Sequence, residues 1–449
     1  MEATAHCQAC DVGVSGTPKI ESDCTVSLIL MTMRFSPVAA RVATVLLFLA
    51  PAVNLVWQGG TGYCFFALLA MALYVGINNR HTTGYFSALR DYPWYVAGMC
   101  CLLLATVVQQ LVHGWWMPRQ FDAYARFVLA LPIFLMLRQL PARYFRALGW
   151  GCVSGALLLG VLAVINRPAG GWTDADRLNN DYTNAIPYGD TALLLAFLSL
   201  FTMGWDEKHR KLAMCLRGAA LIAGGFASYS TGTRGGWVAI PVFVVMMAVQ
   251  YGWFANVKRI LVGATVVVIC AAALLSTPRI EQRIHDFSSD ISLYLKGDRD
   301  SSTGIRLQLW QSAAHLYSQH PVYGVGKGHL KSSFEQLAQQ GYMLEQFVNE
   351  RAHSDFFSTI AESGTIGVVC LLIFYYGSTV YFWRRRRSVD RFIRTAAWSG
   401  LAVSFSTIIF GLTIDVLVPI MVTVMLALLT AAFLAAIDAR QREIDARQP

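Results

Sequence analysis

The stretch from Ala352 to Gly367, AHSDFFSTIAESGTIG, decides how the chain is read. His353, Ser354 and Asp355 stand just before Phe356, where an apolar run begins that holds Glu362, Gly364 and Gly367. A histidine there would mean one thing at the edge of a soluble core and another at a membrane surface. What lies on either side of the run settles which.

Of 449 residues, 55% are hydrophobic and 14% charged, a balance too apolar for a soluble domain. Runs of roughly 20 apolar residues, the length that crosses a bilayer as a helix, recur along the chain. In lipid each backbone polar group must be satisfied internally, so these runs are helices and not open sheet. The expected fold is an all-α polytopic membrane protein of about twelve transmembrane helices. The spans are expected to begin near Arg41, Gly62, Tyr92, Ala125, Tyr144, Asn184, Leu212, Gly235, Arg259, Phe356, Phe392 and Val416.

The net charge of +9 reports orientation in such a protein, not nucleic-acid binding. One set of connections carries Arg80 and Arg90, then Arg138, Arg143 and Arg146, then Lys208, Arg210, Lys211 and Arg217. Lys258 and Arg259, the RRRR run at 384–387, Arg391, Arg394 and the tail arginines continue the series. The alternate connections are poor in Lys and Arg, or balanced by Asp174, Asp176 and Asp181. Both termini are therefore expected on the cytoplasmic side, with Arg234, the long 277–355 connection and His353 opposite.

The organisation that follows has five parts. Residues 1–33 are polar and aperiodic, and are expected to be a disordered extension or to precede the true start. Residues 34–276 hold the first nine spans, 277–355 a long loop with short helices, 356–437 three more spans, and 438–449 a cytoplasmic tail. The first apolar run continues into the polytopic pattern, which argues against a cleavable signal. Ten cysteines are scattered, and the Cys7–Cys10 pair has neither a second pair nor a histidine cluster to make a metal site.

Within the long loop, Ile280, Ile284, Phe287 and Ile291 have the spacing of an amphipathic helix on a membrane surface. Further on, Ser302 or Thr303 is expected to cap a helix that Pro321 follows, with Arg306 in its first turn. A guanidinium beside free backbone N–H groups would suit a phosphate, although a surface arginine on an amphipathic helix is the commoner arrangement. Arg234 sits in a glycine-rich turn, STGTRGGW, where a ligand or another backbone can approach closely. His353 precedes a good N-cap, Ser354, and imidazole is suited to proton transfer near neutral pH. Taken alone, however, it reads more readily as a hydrogen-bonding histidine at a pore edge. Gly364 and Gly367 are expected to serve helix packing. Glu362 and Asp190 are ionisable groups inside spans, which count as functional candidates unless they form buried pairs.

Together these residues resemble a known family. His353 and Ser354, followed by Gly364 and Gly367, resemble the H-[NSQ]-x9-G-x-x-G signature of bacterial O-antigen ligases. TGTRGGW resembles the arginine motif of the same superfamily, and GIRLQLWQSAAHLYSQHPVYGVGKGHL (304–330) its periplasmic-loop motif. The resemblance covers about residues 34–437. It implies a GT-C-like glycosyltransferase fold and transfer of polysaccharide from undecaprenyl diphosphate to lipid A–core, at the periplasmic face of the bacterial inner membrane. Arg234 and Arg306 would hold the diphosphate and His353 would be the general base, with Glu362, Asp190 and Lys327 in supporting places. No HExxH or phosphate-loop signature is present, and no metal, nucleotide or other cofactor is implied. One candidate base without a nucleophilic carboxylate pair points to single displacement with inversion. The alternatives are an O-antigen polymerase, a protein O-oligosaccharyltransferase and, more remotely, a lipid-linked sugar flippase.

Overall fold

The computed structural model describes residues 36–80, 84–173, 176–207, 209–255 and 301–448, with Leu261 and Thr265. Among these, the regular elements are helices. They are α1 (Pro37–Ala52), α2 (Gly60–Asn78), α3 (Pro93–His113), α4 (Asp122–Leu137), α5 (Arg146–Ile165), α6 (Ala185–Phe201), α7 (Arg210–Ser230) and α8 (Ala239–Gln250). After the long connection come α9 (Ser302–Gln319), α10 (Leu330–Gln339), α11 (Asp355–Gly377), α12 (Thr379–Arg385), α13 (Arg391–Gly411) and α14 (Ile420–Asp445). Short 3₁₀ turns lengthen several of them at one end.

Nine of the described helices, with their extensions, are long and apolar enough to cross a membrane. They are α2 to α7, α11 continued by α12, α13 and α14; α1 and α8 are shorter apolar helices. The expected span near Arg259, the surface helix around Ile280–Ile291 and the 1–33 segment lie outside the described residues.

Burial orders the bundle. In α14, α6 and α13, 89%, 83% and 78% of the most apolar window is buried inside the protein, against 33% in α7. The first three form the centre, and α7, α3 and α2 turn a wide apolar face outward, as helices in contact with lipid do. Close packing is set by small residues. A Cβ on Gly151 or Gly155 of α5 would collide with the Phe48 or the Pro51 carbonyl oxygen of α1. Those two positions let the backbones of α1 and α5 touch, the usual device where lipid offers no hydrophobic drive to association.

The two ends of the bundle differ in chemistry. At one end Asp438 of α14 accepts from Arg138 at 2.7 Å, Arg442 at 3.0 Å and the Tyr92 hydroxyl at 2.8 Å. Nearby Arg217 makes a buried two-pronged contact to Asp206 at 2.7 and 3.0 Å, and Arg440 pairs with Asp390 at 2.9 Å. All belong to the connections that sequence places on the basic side. At the other end, α9, α10 and the 342–352 segment form a small cap. Its core is Leu309, Ala313, Leu316, Leu330, Phe334 and Leu337, closed by Ala361 of α11.

The cap is joined to the bundle by backbone, and here two expectations are corrected. Gly364 does not serve helix–helix packing. It breaks α11 with φ +60° and ψ −155°, and its absent Cβ would lie 2.5 Å from the Val322 carbonyl oxygen. The carbonyls of Ala361 and Glu362, freed by the break, accept from the N–H groups of Val325 (2.9 Å) and Gly326 (3.0 Å), while Thr365 N–H donates to Pro321 at 2.8 Å. The loop after α9 is thus laced into a gap in a spanning helix. The α9 cap is Ser301, whose hydroxyl accepts from Gly304 N–H at 3.1 Å, not Ser302 or Thr303. Arg306 accordingly falls in the second turn.

Candidate active site

The helices place the candidate residues at the cap end of the bundle. Arg234 stands at the start of the 3₁₀ turn that leads into α8, exposed on its surface. Arg306 comes from α9 and Asp190 from the start of α6. Arg306 lies within the electrostatic reach of Arg234, Asp190 and a residue not foreseen, Arg177. Burial lowers its affinity for a proton, Arg234 and Arg177 lower it further, and Asp190 opposes them. Three guanidinium groups converging with one carboxylate make a strongly anion-attracting site.

Arg177 belongs to a loop whose charge the sequence reading took as balanced by its own aspartates. It points instead at the Arg234 turn, donating from Nε to the Thr231 carbonyl at 2.6 Å and from Nη2 to the Thr233 hydroxyl at 3.3 Å. These bonds tie the 176–184 segment to the glycine-rich turn. Linear sequence carries no signal for that pairing, because the 54 and 56 positions between the partners are closed only by the folding of α6 and α7.

His353 is held beside α9. Trp310, one turn after Arg306, donates its indole N–H to the Ala352 carbonyl at 2.9 Å and stacks on Phe357 with ring centres 4.8 Å apart. His353 itself adopts a left-handed backbone, φ +50°, an uncommon conformation for a residue with a side chain. Its Nε2 lies 3.2 Å from the Glu350 carboxylate. Ser354 is the N-cap residue, as expected, but its hydroxyl donates to the Gly411 carbonyl at 3.3 Å and not to its own helix.

Glu362 and Lys327 form the buried pair that the sequence left open as an alternative. The Lys327 ammonium sits 2.9 Å from Glu362 Oε2 and 3.0 Å from the Tyr124 hydroxyl. Arg351 reaches the same oxygen at 3.0 Å and stands 3.6 Å from Asp415. Burial pulls Lys327 down most strongly, but Glu362 and Tyr124 together outweigh it and hold the ammonium above its ordinary range. The same balance holds Arg351 above its own, with Glu362 and Asp415 against burial. A buried carboxylate with two cationic partners is a structural tie that joins the glycine-rich loop, the broken helix and the turn before His353. Asp355 takes part in the same end, accepting from Tyr375 and from Leu417 N–H at 3.1 and 3.2 Å.

The six predicted residues therefore fall into three adjoining groups. Arg306, Arg234 and Asp190 lie together, with Arg177 added. Lys327 and Glu362 lie together, with Arg351 added. His353 follows Arg351 in the chain and is anchored to the Arg306 helix through Trp310. Asp190 and Asp415 line one largely apolar cavity between α6, α13 and α14, which makes the first two groups neighbours.

Comparison with known proteins bears on the middle of this arrangement. The family model described as O-antigen ligase matches residues 219–372, bearing out the resemblance read from the motifs. That stretch contains Arg234, Arg306, Lys327, His353 and Glu362. An uncharacterized protein of Haemophilus influenzae is 26% identical over 269 residues, which cover 59% of this chain and 66% of the relative, just under two thirds of its length.

Proposed function

We propose that the protein is an O-antigen ligase, transferring polysaccharide from an undecaprenyl-diphosphate donor to lipid A–core without metal or nucleotide. The observation that carries this is the convergence of Arg306, Arg234 and Arg177 beside a helix whose Trp310 holds the backbone next to His353. A lipid-linked diphosphate needs positive charge at the membrane surface, and charge grows on it as the sugar leaves. On this reading the arginines hold the diphosphate and His353 takes the proton of the acceptor hydroxyl. The bonds from Trp310 and Glu350 fix where the imidazole stands. The displacement is direct and inverts the sugar carbon, within a GT-C-like frame. The active end is periplasmic, in the inner membrane of a bacterium, and both termini are cytoplasmic, in keeping with the basic opposite end.

The test supplies purified protein with a defined undecaprenyl-diphosphate glycan and purified lipid A–core, with chelator and without nucleotide. Glycan joined to lipid A–core is the expected product. Lengthening of the lipid-linked glycan with no transfer to lipid A–core would replace the ligase reading with a polymerase, and transfer to protein would replace it with an oligosaccharyltransferase.

A further inference from the structure

The segment that leads into α11 is held from several directions. Phe347 packs into the cap core. Arg351 reaches Glu362 at 3.0 Å, the Ala352 carbonyl accepts from Trp310, and the Ser354 hydroxyl donates to the Gly411 carbonyl. Glu350 and His353 meet each other: Nε2 of the imidazole stands 3.2 Å from Oε2 of the carboxylate. Water reaches both, the Glu350 side chain being 50% exposed and that of His353 25%. The contact is made outside any helix, with His353 in the left-handed backbone at φ +50°. A residue with a side chain seldom adopts that conformation, and its surroundings must hold it there. Here the ties on either side do so, Trp310 at Ala352 and Gly411 at Ser354.

The contact decides which nitrogen of His353 can act. A neutral imidazole carries its proton on one ring nitrogen and a lone pair on the other, and a carboxylate only accepts hydrogen bonds. With Nε2 on Glu350, the proton is on Nε2 and the lone pair on Nδ1, since the hydrogen bond at one nitrogen fixes the tautomer. A base working through Nε2 would first have to leave Glu350. In the transfer step the acceptor O–H bond breaks and its proton goes to Nδ1. The acceptor oxygen bonds the sugar carbon, and the bond from that carbon to the phosphate oxygen breaks with its electron pair left on the oxygen. His353 becomes an imidazolium, and Glu350 faces its positive charge as it forms. Solvent reaches His353, so the imidazolium gives the proton to water afterwards.

We propose that Glu350 positions the base: it holds the Nε2–H form of His353 and steadies the imidazolium, so that Nδ1 is the atom that takes the acceptor proton. This rests on the reading of His353 as general base. Glu350 acts only through the imidazole and touches neither donor nor acceptor.

The experiment follows single-turnover transfer from a defined undecaprenyl-diphosphate glycan to lipid A–core by the purified full-length protein at saturating donor. Donor binding and thermal stability in detergent are measured beside it. His353→Ala should lose about a hundred- to ten-thousand-fold in rate. Glu350→Ala should lose about tenfold, a share of that effect, because water partly screens an exposed partner. Its donor affinity and melting temperature should match the wild type. Added to His353→Ala, the same change should cost nothing more, since its effect runs through the imidazole. Glu350→Gln, isosteric and uncharged, should also be slowed, and it keeps the test open where alanine perturbs the fold. Replacement of His353 by Nδ1-methylhistidine, which blocks Nδ1 and keeps the ring, should be as slow as His353→Ala. A wild-type rate in either folded variant at 350, or a full further loss in the His353→Ala background, would overturn the positioning role. Transfer by the methylated protein would put the base at Nε2 and overturn the Nδ1 assignment. A wild-type rate in His353→Ala would overturn the general base itself, and this proposal with it.

Discussion

At the scale of single residues, the site is defined by what each charged group touches. Arg177 reaches the glycine-rich turn through hydrogen bonds and Arg306 acts there through its field, from different elements, so their losses should differ in kind. On the proposed assignment, Arg306→Ala removes a charge-assisted phosphate contact and is expected to cost about 1.5–3 kcal/mol of donor binding, seen as a raised KM in the transfer assay. Arg306→Lys should recover part of it, because an ammonium cannot reproduce the planar fork. Arg177→Ala should also loosen the Arg234 turn, since it loses the bonds to Thr231 and Thr233; normal transfer by this variant would remove it from the site. Trp310→Phe is a finer probe. It keeps a ring to stack on Phe357 but loses the N–H that holds the Ala352 carbonyl. The expected result is a several-fold lower single-turnover rate with donor affinity intact, and a drop confined to donor affinity would show that Trp310 serves the diphosphate and not the His353 turn.

At the scale of elements, the break in α11 is the feature on which the site depends. Any side chain at Gly364 meets the backbone of residues 322–324 and is forced into a left-handed conformation. Gly364→Ala is therefore expected to unseat the 321–328 loop, with strain alone of order 1–3 kcal/mol, read as a lower melting temperature and less folded protein. Glu362→Gln attacks the same junction through charge. It leaves Lys327 and Arg351 without their shared carboxylate, and breaking a buried pair in this way typically costs about 3–5 kcal/mol. A variant that melts like the wild type would show the tie to be dispensable. The sequence announced this junction only in part. The glycines and the intramembrane glutamate were visible as anomalies in an apolar run. The reading of Gly364 as a packing residue failed because a helix break filled by a distant loop has no periodic signature. Ser301 in place of Ser302 as cap is the ordinary imprecision of helix ends, where several adjacent residues can cap. The positions of Arg234, Arg306 and His353 at one end were legible, because charge alternation assigns ends to helices before any contact is known. Arg177 and Arg351 were not, since both act through partners brought near by the fold.

At the scale of the whole molecule, the remaining question is which end faces which compartment. Helix connectivity places Asp438, Asp206 and Asp390, with their arginine partners, at one end and the α9–α10 cap at the other. Lys and Arg crowd the first end in the short connections where the positive-inside bias operates. Two exposed positions report on it: Ser332 on the cap, and Val389, 97% exposed, in the turn between α12 and α13. The ten native cysteines include Cys215 on an exposed face, so they are first replaced by serine. Ser332→Cys and Val389→Cys are then introduced singly and treated with a membrane-impermeant thiol reagent. In cells with a permeabilised outer membrane, Ser332→Cys should be labelled at once and Val389→Cys only after the inner membrane is opened. The reverse pattern would put the arginine cluster and His353 in the cytoplasm, away from any acceptor assembled on the outer face. It would sink the proposed ligase reaction even if every contact in the site were correct, because the chemistry depends on donor and acceptor meeting on the same side of the membrane.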